Sequence, residues 1–182
     1  LVGDIYSLVS NPKGFDPKNV EAFGLMLATR LTYRLSEERG APTLRASNIG
    51  KPCSRQLWYD INTPHDKEPL PPNVRLKFLF GDILEELLLF LAKEAGHAVA
   101  DEQAEITVNG VKGHIDGTID GRLVDCKSAS TYSFSKFKKH TLPSDDAFGY
   151  VDQLGVYLSG SSSLPSLKDK DVASFLVIDK TL

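Results

Sequence analysis

Two dipeptides that favour tight β-hairpin turns, Asn109-Gly110 and Asp120-Gly121, constrain the fold of this chain more than any other feature of its sequence. Both suit the primed two-residue turns, in which the central residues take positive φ. The flanking segments AEITV (104–108), VKGHIDGTI (111–119) and RLVDCKSA (122–129) have the length and composition of strands. The sequence therefore predicts a meander of three short strands joined by two tight turns.

Two long helices are predicted before this meander. Asp16 is a plausible N-cap, Pro17 suits the first helical position, and Gly40 suits the end of a long first helix. Apolar residues recur at helical spacing from about Leu76 to Gly96, which predicts a second long helix that ends at a glycine.

Shorter elements complete the pattern. Ser47 or Asn48 can cap a short helix that carries Cys53, Arg55 and Trp58. The proline-rich segment 63–73 is predicted to be a loop. After the meander come a basic and aromatic connection (133–146), a helix with acidic caps (145–160) and a final buried strand (172–179).

The length of 182 residues predicts one domain, with a helical part over 1–45 and a core over 46–182. The order of elements predicts an α/β or α+β fold whose mixed central sheet is flanked by helices. The first residue is not methionine, and the chain stops where a strand has just ended. We therefore expect further chain at one or both ends.

Composition excludes several classes of protein. The net charge of −3 gives no global basic footprint, although a local basic groove remains compatible with it. The two cysteines, Cys53 and Cys126, supply neither a disulfide framework nor a four-cysteine metal site. No apolar run approaches membrane-spanning length, and the N-terminus has no signal-peptide pattern. These features favour a cytoplasmic protein without a membrane partner.

The second hairpin gathers charge. If Asp120-Gly121 form a two-residue turn, Asp116 faces Asp125 and His114 faces Lys127 across the strands. Carboxylates about 5 Å apart repel by roughly 3 kcal/mol at an effective dielectric constant near 20, so something must offset the repulsion. A divalent cation such as Mg²⁺ or Mn²⁺ does so directly. Lys127 lies on the same strand face as Asp125, because side chains alternate with a period of two.

A simpler interpretation stays open from the spacing alone. Asp116 and Asp125 could extend into water as surface acids, with Lys127 neutralising them. Asp120 is interpreted as a turn residue only. The opposite strand face is expected to join the apolar core through Ile115, Ile119, Val124 and Cys126.

Asp116 in GHIDG and Asp125-Cys126-Lys127 in VDCK resemble the motif of the PD-(D/E)XK nuclease superfamily, in which an acid on one strand precedes a (D/E)-x-K trio on the next. The proline of the family name is absent, as is common in its RecB-like branch. The segment FGDILEELL resembles the helix that carries a metal-reaching acid in that branch, and it places Glu85 in that role. Gln153 and Tyr157 match the Q-x-x-x-Y motif that follows the lysine strand there.

The resemblance to RecB-like and phage-type exonucleases covers roughly 46–158. It implies a restriction-endonuclease-like core in which Glu85, Asp116, Asp125 and the backbone carbonyl of Cys126 hold one or two Mg²⁺ or Mn²⁺ ions. Lys127 would then orient the attacking water or stabilise charge on the phosphate. No iron–sulfur cluster is expected, since relatives with one have three later cysteines that are missing here, and Cys53 is expected to pack.

Other interpretations of the helix residues remain. Glu85 could be one more exposed helix acid, because Asp82, Glu86 and Lys93 form a solvated stripe beside it on a helical wheel. Gln153 and Tyr157 could be a surface amide beside a core tyrosine, and His114 a structural histidine. Glu86 is the nearest alternative to Glu85, and Glu102 or Glu105 could take its place if the strand register slips.

DNA contacts are expected at three sets of residues. A basic patch interleaved with phenylalanines suits the phosphate backbone, although it could equally be a solvated loop over an apolar cluster. Two serines follow the lysine strand, and the resemblance implies a 5′-phosphate grip near the start of the core. The three sets are Lys136, Lys138 and Lys139; Ser128 and Ser130; and Arg45, Ser47 and Arg55.

The resemblance implies a metal-dependent DNA exonuclease of phage type that acts on linear DNA in recombination, replication or degradation, with a single-strand-annealing or other recombination or replication protein as a further partner. A phage-encoded enzyme would act in the host cytoplasm. The alternatives are an endonuclease or junction resolvase on the same fold, a DNA-binding or protein-interaction module without catalysis, and an unrelated metal-binding hydrolase.

Overall fold

A computed structural model describes residues 1–11, 13–36, 42–63 and 70–181 of the chain. The fold is α+β, with a mixed four-stranded sheet, a separate two-stranded hairpin, and helices packed around them. The helices are α1 (Val2–Ser10), α2 (Pro17–Leu35), α3 (Ala46–Ile49), α4 (Ser54–Asn62), α5 (Pro72–Glu94), α6 (Thr131–Lys138) and α7 (Tyr150–Gly160). The strands are β1 (Val99–Ala100), β2 (Glu105–Val108), β3 (Val111–His114), β4 (Gly117–Ile119), β5 (Arg122–Ala129) and β6 (Asp169–Asp179).

The central sheet has the order β1-β4-β5-β6. β4 is antiparallel to β1 and β5, whereas β6 lies parallel to β5 along most of its length. A parallel neighbour requires a crossover, and α6 and α7 lie in the connection between these two strands. The mixed sheet flanked by helices is therefore confirmed.

Both hairpin turns are confirmed, and each places its two central residues at positive φ. The values are 50° and 80° for Asn109 and Gly110, and 54° and 86° for Asp120 and Gly121. Ile119 pairs with Arg122, as a two-residue turn requires.

The predicted middle strand is wrong as one continuous element. It breaks at Ile115 and Asp116 into β3, which forms a separate hairpin with β2, and β4, which belongs to the central sheet. Period-two alternation cannot reveal such a break, because the residues on both sides of it still alternate. The break takes Asp116 out of the ladder and sends His114 to another sheet.

Two apolar clusters are built on the central sheet. Ile119, Val124 and Cys126 pack with Leu88 and Leu89 of α5. Ile115 is fully buried but belongs to the second cluster, which includes Leu123 on β5 and Tyr157 on α7. Since Leu123 and Val124 are neighbours on β5, α5 and α7 cover opposite faces of that strand.

Helix α2 begins as predicted, with Pro17 at its first position and Asp16 accepting a hydrogen bond from the Lys18 amide at 2.9 Å. The helix ends earlier than predicted, at Leu35, where Ser36 follows with extended backbone, and Gly40 itself lies outside the described residues. Helix α2 packs along α5, where Phe23 stacks on Phe90 at a ring distance of 4.8 Å.

The solvated stripe predicted on α5 is wrong for its two acids. Asp82 and Glu86 are only 7% and 3% exposed, because α2 covers them. Arg34 grips Asp82 through two hydrogen bonds of 2.7 Å, and Arg30 Nε donates to Glu86 at 2.8 Å. Burial of these carboxylates is tolerated because each has a guanidinium partner.

Several predicted boundaries need correction. Ser47 and Asn48 lie within α3, and the next helix, α4, has Cys53 as its N-cap, with Sγ accepting from the Gln56 amide at 3.4 Å. Cys53 is exposed rather than packed. Helix α5 begins at Pro72 instead of Leu76, since proline suits the first helical turn.

Three further elements differ from the predictions. The connection after β5 contains α6, and α1 was not predicted at all. The N-cap of α7 is Gly149, but an acid still contributes, because Asp146 accepts a hydrogen bond from the Val151 amide at 2.8 Å. Within the described ranges, no helix is long and apolar enough to cross a bilayer.

The start of α7 is fixed by contact between two glycines. Gly149 has φ of 71°, and a Cβ placed on it would lie 2.2 Å from the carbonyl oxygen of Gly50. A Cβ on Gly50 would likewise lie 2.5 Å from the carbonyl oxygen of Gly149. Only glycine at both positions allows the chain after α3 to cross the first turn of α7 so closely.

Candidate active site

A gap in the central sheet exposes the edge of β5. The β4–β5 ladder ends at Gly117 and Val124, so from Asp125 onward the edge of β5 that faces β4 has no partner among the described strands. Asp116 lies at this gap, and its Oδ2 accepts a hydrogen bond from the Cys126 amide at 2.6 Å. The predicted pairing of Asp116 with Asp125 is thus wrong as a ladder pair. Asp116 instead satisfies the backbone group that a longer β4 would have bonded.

Asp125 is fully buried on β5, at 1% exposure, and forms an ion pair with Lys127. The surface-acid interpretation is wrong for this residue, whereas the expectation that both side chains share one strand face is confirmed. Apart from the ion pair, neither carboxylate oxygen receives a hydrogen bond from any residue in the described part of the chain. A buried carboxylate with so few donors has unused capacity to bind a cation.

Electrostatics links the acids of the gap. Burial raises the pKa of Asp116 well above its ordinary value, and the charges of Glu85 and then Asp125 raise it further. Burial also raises the pKa of Asp125, although Lys127 opposes that rise. For Lys127, burial alone would lower the pKa, but Asp125 and Asp116 more than offset it and keep the ammonium protonated.

Glu85 approaches the same site from α5. Its Oε1 accepts hydrogen bonds from Arg30 Nη2 of α2 and from Gln103 Nε2, the latter at 2.7 Å. Burial raises the pKa of Glu85 to about 7, while Arg30 lowers it and Glu86 raises it. The interpretation of Glu85 as one more exposed acid is wrong, because its side chain is 16% exposed and has two donors.

The side chains of Asp101, Glu102 and Gln103 each form a contact that holds the loop in place. Asp101 and Gln103 take positive φ, 53° and 58°, which is unfavourable for residues with a side chain. Asp101 accepts a hydrogen bond from Ser166, and Glu102 pairs with Lys93 at 2.6 Å. The neighbouring contacts therefore hold a strained backbone that keeps the Gln103 amide on Glu85.

Gln153 and Tyr157 share one face of α7, as their spacing predicts. Gln153 Nε2 donates to the Tyr157 hydroxyl at 2.7 Å. Tyr157 is buried, and burial raises its pKa to about 12 while the hydrogen bond from Gln153 opposes the rise. The two residues are thus joined by a hydrogen bond on one helix face. The charges of Asp125 and Asp116 also raise the pKa of the Tyr157 hydroxyl.

Aromatic rings form a column beside Lys127. The Nζ atom of Lys127 lies 5.1 Å from the centre of the Tyr150 ring. Tyr150 stacks with both Phe137 and Phe148, at ring distances of 6.2 and 5.3 Å, and Phe137 meets Phe175 of β6 edge to face at 5.3 Å. We call these four rings, Phe148, Tyr150, Phe137 and Phe175, the aromatic column.

Of the remaining candidates, His114 does not face Lys127. It lies on β3 opposite Glu105, with Nε2 3.8 Å from a carboxylate oxygen, on the outside of the molecule. Ser128 is half-buried, and its Oγ lies 3.9 Å from the position of a Cβ on Gly81, which is an ordinary van der Waals distance. Ser130 serves as the N-cap of α6.

The basic candidates are unequal. Lys136 is occupied by an ion pair with Asp145 at 2.6 Å and lies over the Tyr132 ring, whereas Lys138 and Lys139 are exposed at the end of α6. Arg55 is exposed on α4, where its guanidinium lies 5.8 Å from the Tyr59 ring centre.

The segment around α3 lies near the candidate site. Ala46 is fully buried, and a Cβ placed on Gly113 would lie 2.7 Å from the Ala46 Cβ and 2.8 Å from the Tyr157 ring. Arg45 and Ser47 are exposed on either side of Ala46. They are thus candidates for contact with a DNA end on the α7 side of the site.

The donor atoms suit a hard divalent cation. Among the described residues, no donor reaches Glu85 Oε2, and Asp125 has no partner besides Lys127. The Cys126 amide points into the gap, where it bonds Asp116. Since the amide and the carbonyl of one strand residue point to the same edge, the Cys126 carbonyl faces the gap as well. An all-oxygen set favours Mg²⁺ or Mn²⁺. Over the described ranges, however, no three acidic, histidine or cysteine side chains are already grouped around one point. Ion binding therefore requires these side chains to move closer together.

Two residues of the site were missed by sequence reasoning. Arg30 and Gln103 contact Glu85 from positions 55 and 18 residues away. Neither carries a local signal, since an arginine on a helix and a glutamine in a loop are ordinary. The acids on α5 give an indirect signal for Arg30 only, because a buried acidic helix face requires cations from another element.

No protein-family model, no curated protein and no solved structure matches this chain.

Proposed function

We propose that this chain is a metal-dependent DNA exonuclease with a restriction-endonuclease-like core. The observation that carries the proposal is the hydrogen bond from the Cys126 amide to Asp116 beside the buried Asp125–Lys127 ion pair, with Glu85 near enough for its charge to raise the pKa of Asp116. Each of the three acids has a raised pKa in which burial is the largest cause, and the lysine stays protonated among them. Buried acids whose pKa values are shifted together with a specific cationic partner are typical of functional sites.

The geometry supports a division of labour in phosphodiester hydrolysis. Glu85, Asp116, Asp125 and the Cys126 carbonyl would hold the cation, which supplies a water of lowered pKa and polarises the phosphate. Lys127 would stabilise the negative charge that develops on the phosphoryl oxygens. The bond from the water oxygen to phosphorus would form as the water loses a proton, the bond from phosphorus to the leaving oxygen would break, and the leaving oxygen would gain a proton, so that one water is added overall. The products are a phosphate monoester and a free hydroxyl.

Positioning falls to the neighbours of these residues. Gln103 and Arg30 hold Oε1 of Glu85, so that its Oε2 remains available to the cation. Gln153 orients the Tyr157 hydroxyl in the field of the two aspartates. Exposed Lys138 and Lys139, with Arg45 and Ser47 on the other side, would contact the phosphate backbone.

End-labelled linear DNA and covalently closed circular DNA, each with Mg²⁺ or with EDTA, test the proposal. We expect release of the end label in Mg²⁺, no release in EDTA, and no cleavage of the circle. The Asp116→Asn variant should lose activity and serves as the matched control. Cleavage of the circle would identify an endonuclease or resolvase instead. Binding without cleavage in Mg²⁺ and Mn²⁺ would indicate a module without catalysis.

The pKa of Glu85 predicts a pH dependence of metal binding. A carboxyl group whose pKa is raised to about 7 on folding keeps its proton up to a higher pH than it does in the unfolded chain. Without metal its ionisation therefore destabilises the fold as pH rises from about 5 to about 8. A bound cation removes this penalty, so the increase in Tm caused by Mg²⁺ should grow over the same window. Thermal unfolding at several pH values checks this.

The Glu85→Gln variant is the control for the pH experiment, since its side chain does not titrate. Its Mg²⁺-induced shift should be smaller and should change less with pH. A shift in the original protein that is equally large at pH 5 and pH 8 would contradict the role of Glu85 as a ligand.

Two further features belong to this proposal. Both cysteines are free in the structure, which suits a reducing cytoplasm. A phage-type enzyme would act there on linear host or phage DNA, together with a single-strand-annealing or other recombination or replication protein.

A further inference from the structure

We infer that Phe148 is a stacking platform for an unpaired nucleobase beside the catalytic lysine. This inference rests on the proposed function and deepens it, because it names the form of DNA that the site accepts. The Phe148 side chain is 66% exposed although it belongs to the aromatic column, whose Tyr150 ring lies beside Lys127.

The column connects the sheet to solvent in order. Phe175 is the register partner of Asp125 on the neighbouring strand. Phe137 meets Phe175 edge to face, Tyr150 stacks on Phe137, and Phe148 stacks on Tyr150 with an angle of 24° between the rings. The outermost ring thus extends a stack whose next ring, Tyr150, lies against the lysine ammonium.

The platform is held before any ligand arrives. Asp146 accepts hydrogen bonds from the Phe148 amide at 3.3 Å and from the Val151 amide at 2.8 Å. Gly149 follows at φ of 71° under the carbonyl of Gly50, so the backbone on both sides of Phe148 is fixed. A ring whose backbone is already ordered loses little conformational entropy when a flat partner stacks on it.

The chemistry of the surroundings selects the partner. A base inside a duplex has both faces covered by its neighbours, whereas an unpaired base offers its face to an aromatic ring. Aromatic stacking tolerates any base, and it is combined with phosphate contacts in proteins that bind single strands. Here the ring lies one aromatic neighbour away from Lys127, and exposed Lys138 and Lys139 follow Phe137 on α6. The ring would therefore hold the base next to the phosphate that is cut.

Fluorescence of 2-aminopurine at the end of an oligonucleotide tests this inference. Ca²⁺ supplies a hard cation, and the oligonucleotide is checked to be intact after each titration. We expect the protein to quench a 2-aminopurine at the end of a single strand, because stacking quenches it. The Phe148→Ala variant should bind this strand roughly 5- to 150-fold more weakly, the range that one base–aromatic stack gives. Phe148→Trp should restore binding and quenching.

Tyr6→Ala is the matched control, because Tyr6 is an exposed ring, at 70%, on α1 and outside the aromatic column. It should bind like the original protein. The inference fails if Phe148→Ala binds as tightly as the original protein, if single strands and blunt duplexes lose affinity equally, or if Tyr6→Ala loses as much. Should the original protein cut end-labelled DNA in Mg²⁺ while one of these results holds, the platform alone is wrong. Should it neither bind nor cut DNA, the proposed function fails as well.

Discussion

Replacing Lys127 by methionine is expected to slow DNA hydrolysis by about 10²- to 10³-fold, the cost of losing one donor that stabilises transition-state charge. The same change should lower the free energy of unfolding by about 3–5 kcal/mol. The reason is that Asp125, at 1% exposure, would lose its ionic partner and would have no hydrogen-bond donor among the described residues. Methionine keeps most of the side-chain volume, so the loss of stability is caused by removal of the charge rather than by poorer packing.

A second substitution separates the two effects. Asp125→Asn alone should also destabilise the fold, because it leaves Lys127 buried without its partner. The double variant Asp125→Asn with Lys127→Met removes both charges and should recover most of the lost stability while remaining inactive. Urea unfolding and release of end label from linear DNA measure the two quantities. Full activity in Lys127→Met, or recovery of activity in the double variant, would contradict the catalytic role.

The second large effect is expected at Gly149. Gly149→Ala should lower the free energy of unfolding by about 2–5 kcal/mol, which combines the cost of a left-handed backbone with that of overpacking. A Cβ there meets the backbone of Gly50 at 2.2 Å, and backbone cannot move aside as a flexible side chain can. The measurement is equilibrium unfolding in urea.

Gly155 offers a control in the same helix. A Cβ at Gly155 meets nothing within 4 Å, so Gly155→Ala should stabilise the fold by about 0.5–1 kcal/mol through helix propensity. Equal effects of the two substitutions would show that the contact between Gly50 and Gly149 does not hold α7 in place.

What the sequence predicts well is local. A positive-φ turn at Asp120-Gly121 depends on those two residues alone, and the N-cap of α2 depends on Asp16 and its neighbours. The shared face of Asp125 and Lys127 follows from the geometry of one strand. These features needed no knowledge of the rest of the chain.

What the sequence does not predict is the partner of each element. The break between β3 and β4 is decided by which strand each half meets, and alternation is the same in either case. Burial of Asp82 and Glu86 depends on arginines about 50 residues earlier, so a helical wheel drawn for α5 alone assigns them to solvent. The predicted ladder pair of Asp116 and Asp125 is wrong, because the β4–β5 ladder ends at Gly117 and Val124, and a common site for the three acids stays a prediction.

The contact of Arg30 with Glu85 has a consequence beyond stability. The guanidinium of Arg30 on α2 and a cation bound at Glu85 are both attracted by the same carboxylate, so each weakens the binding of the other to Glu85. Thermodynamic reciprocity makes this antagonism equal in both directions. The stability of the contact between α2 and α5 is therefore linked to whether an ion is bound at Glu85, and a change in either one can be measured through the other.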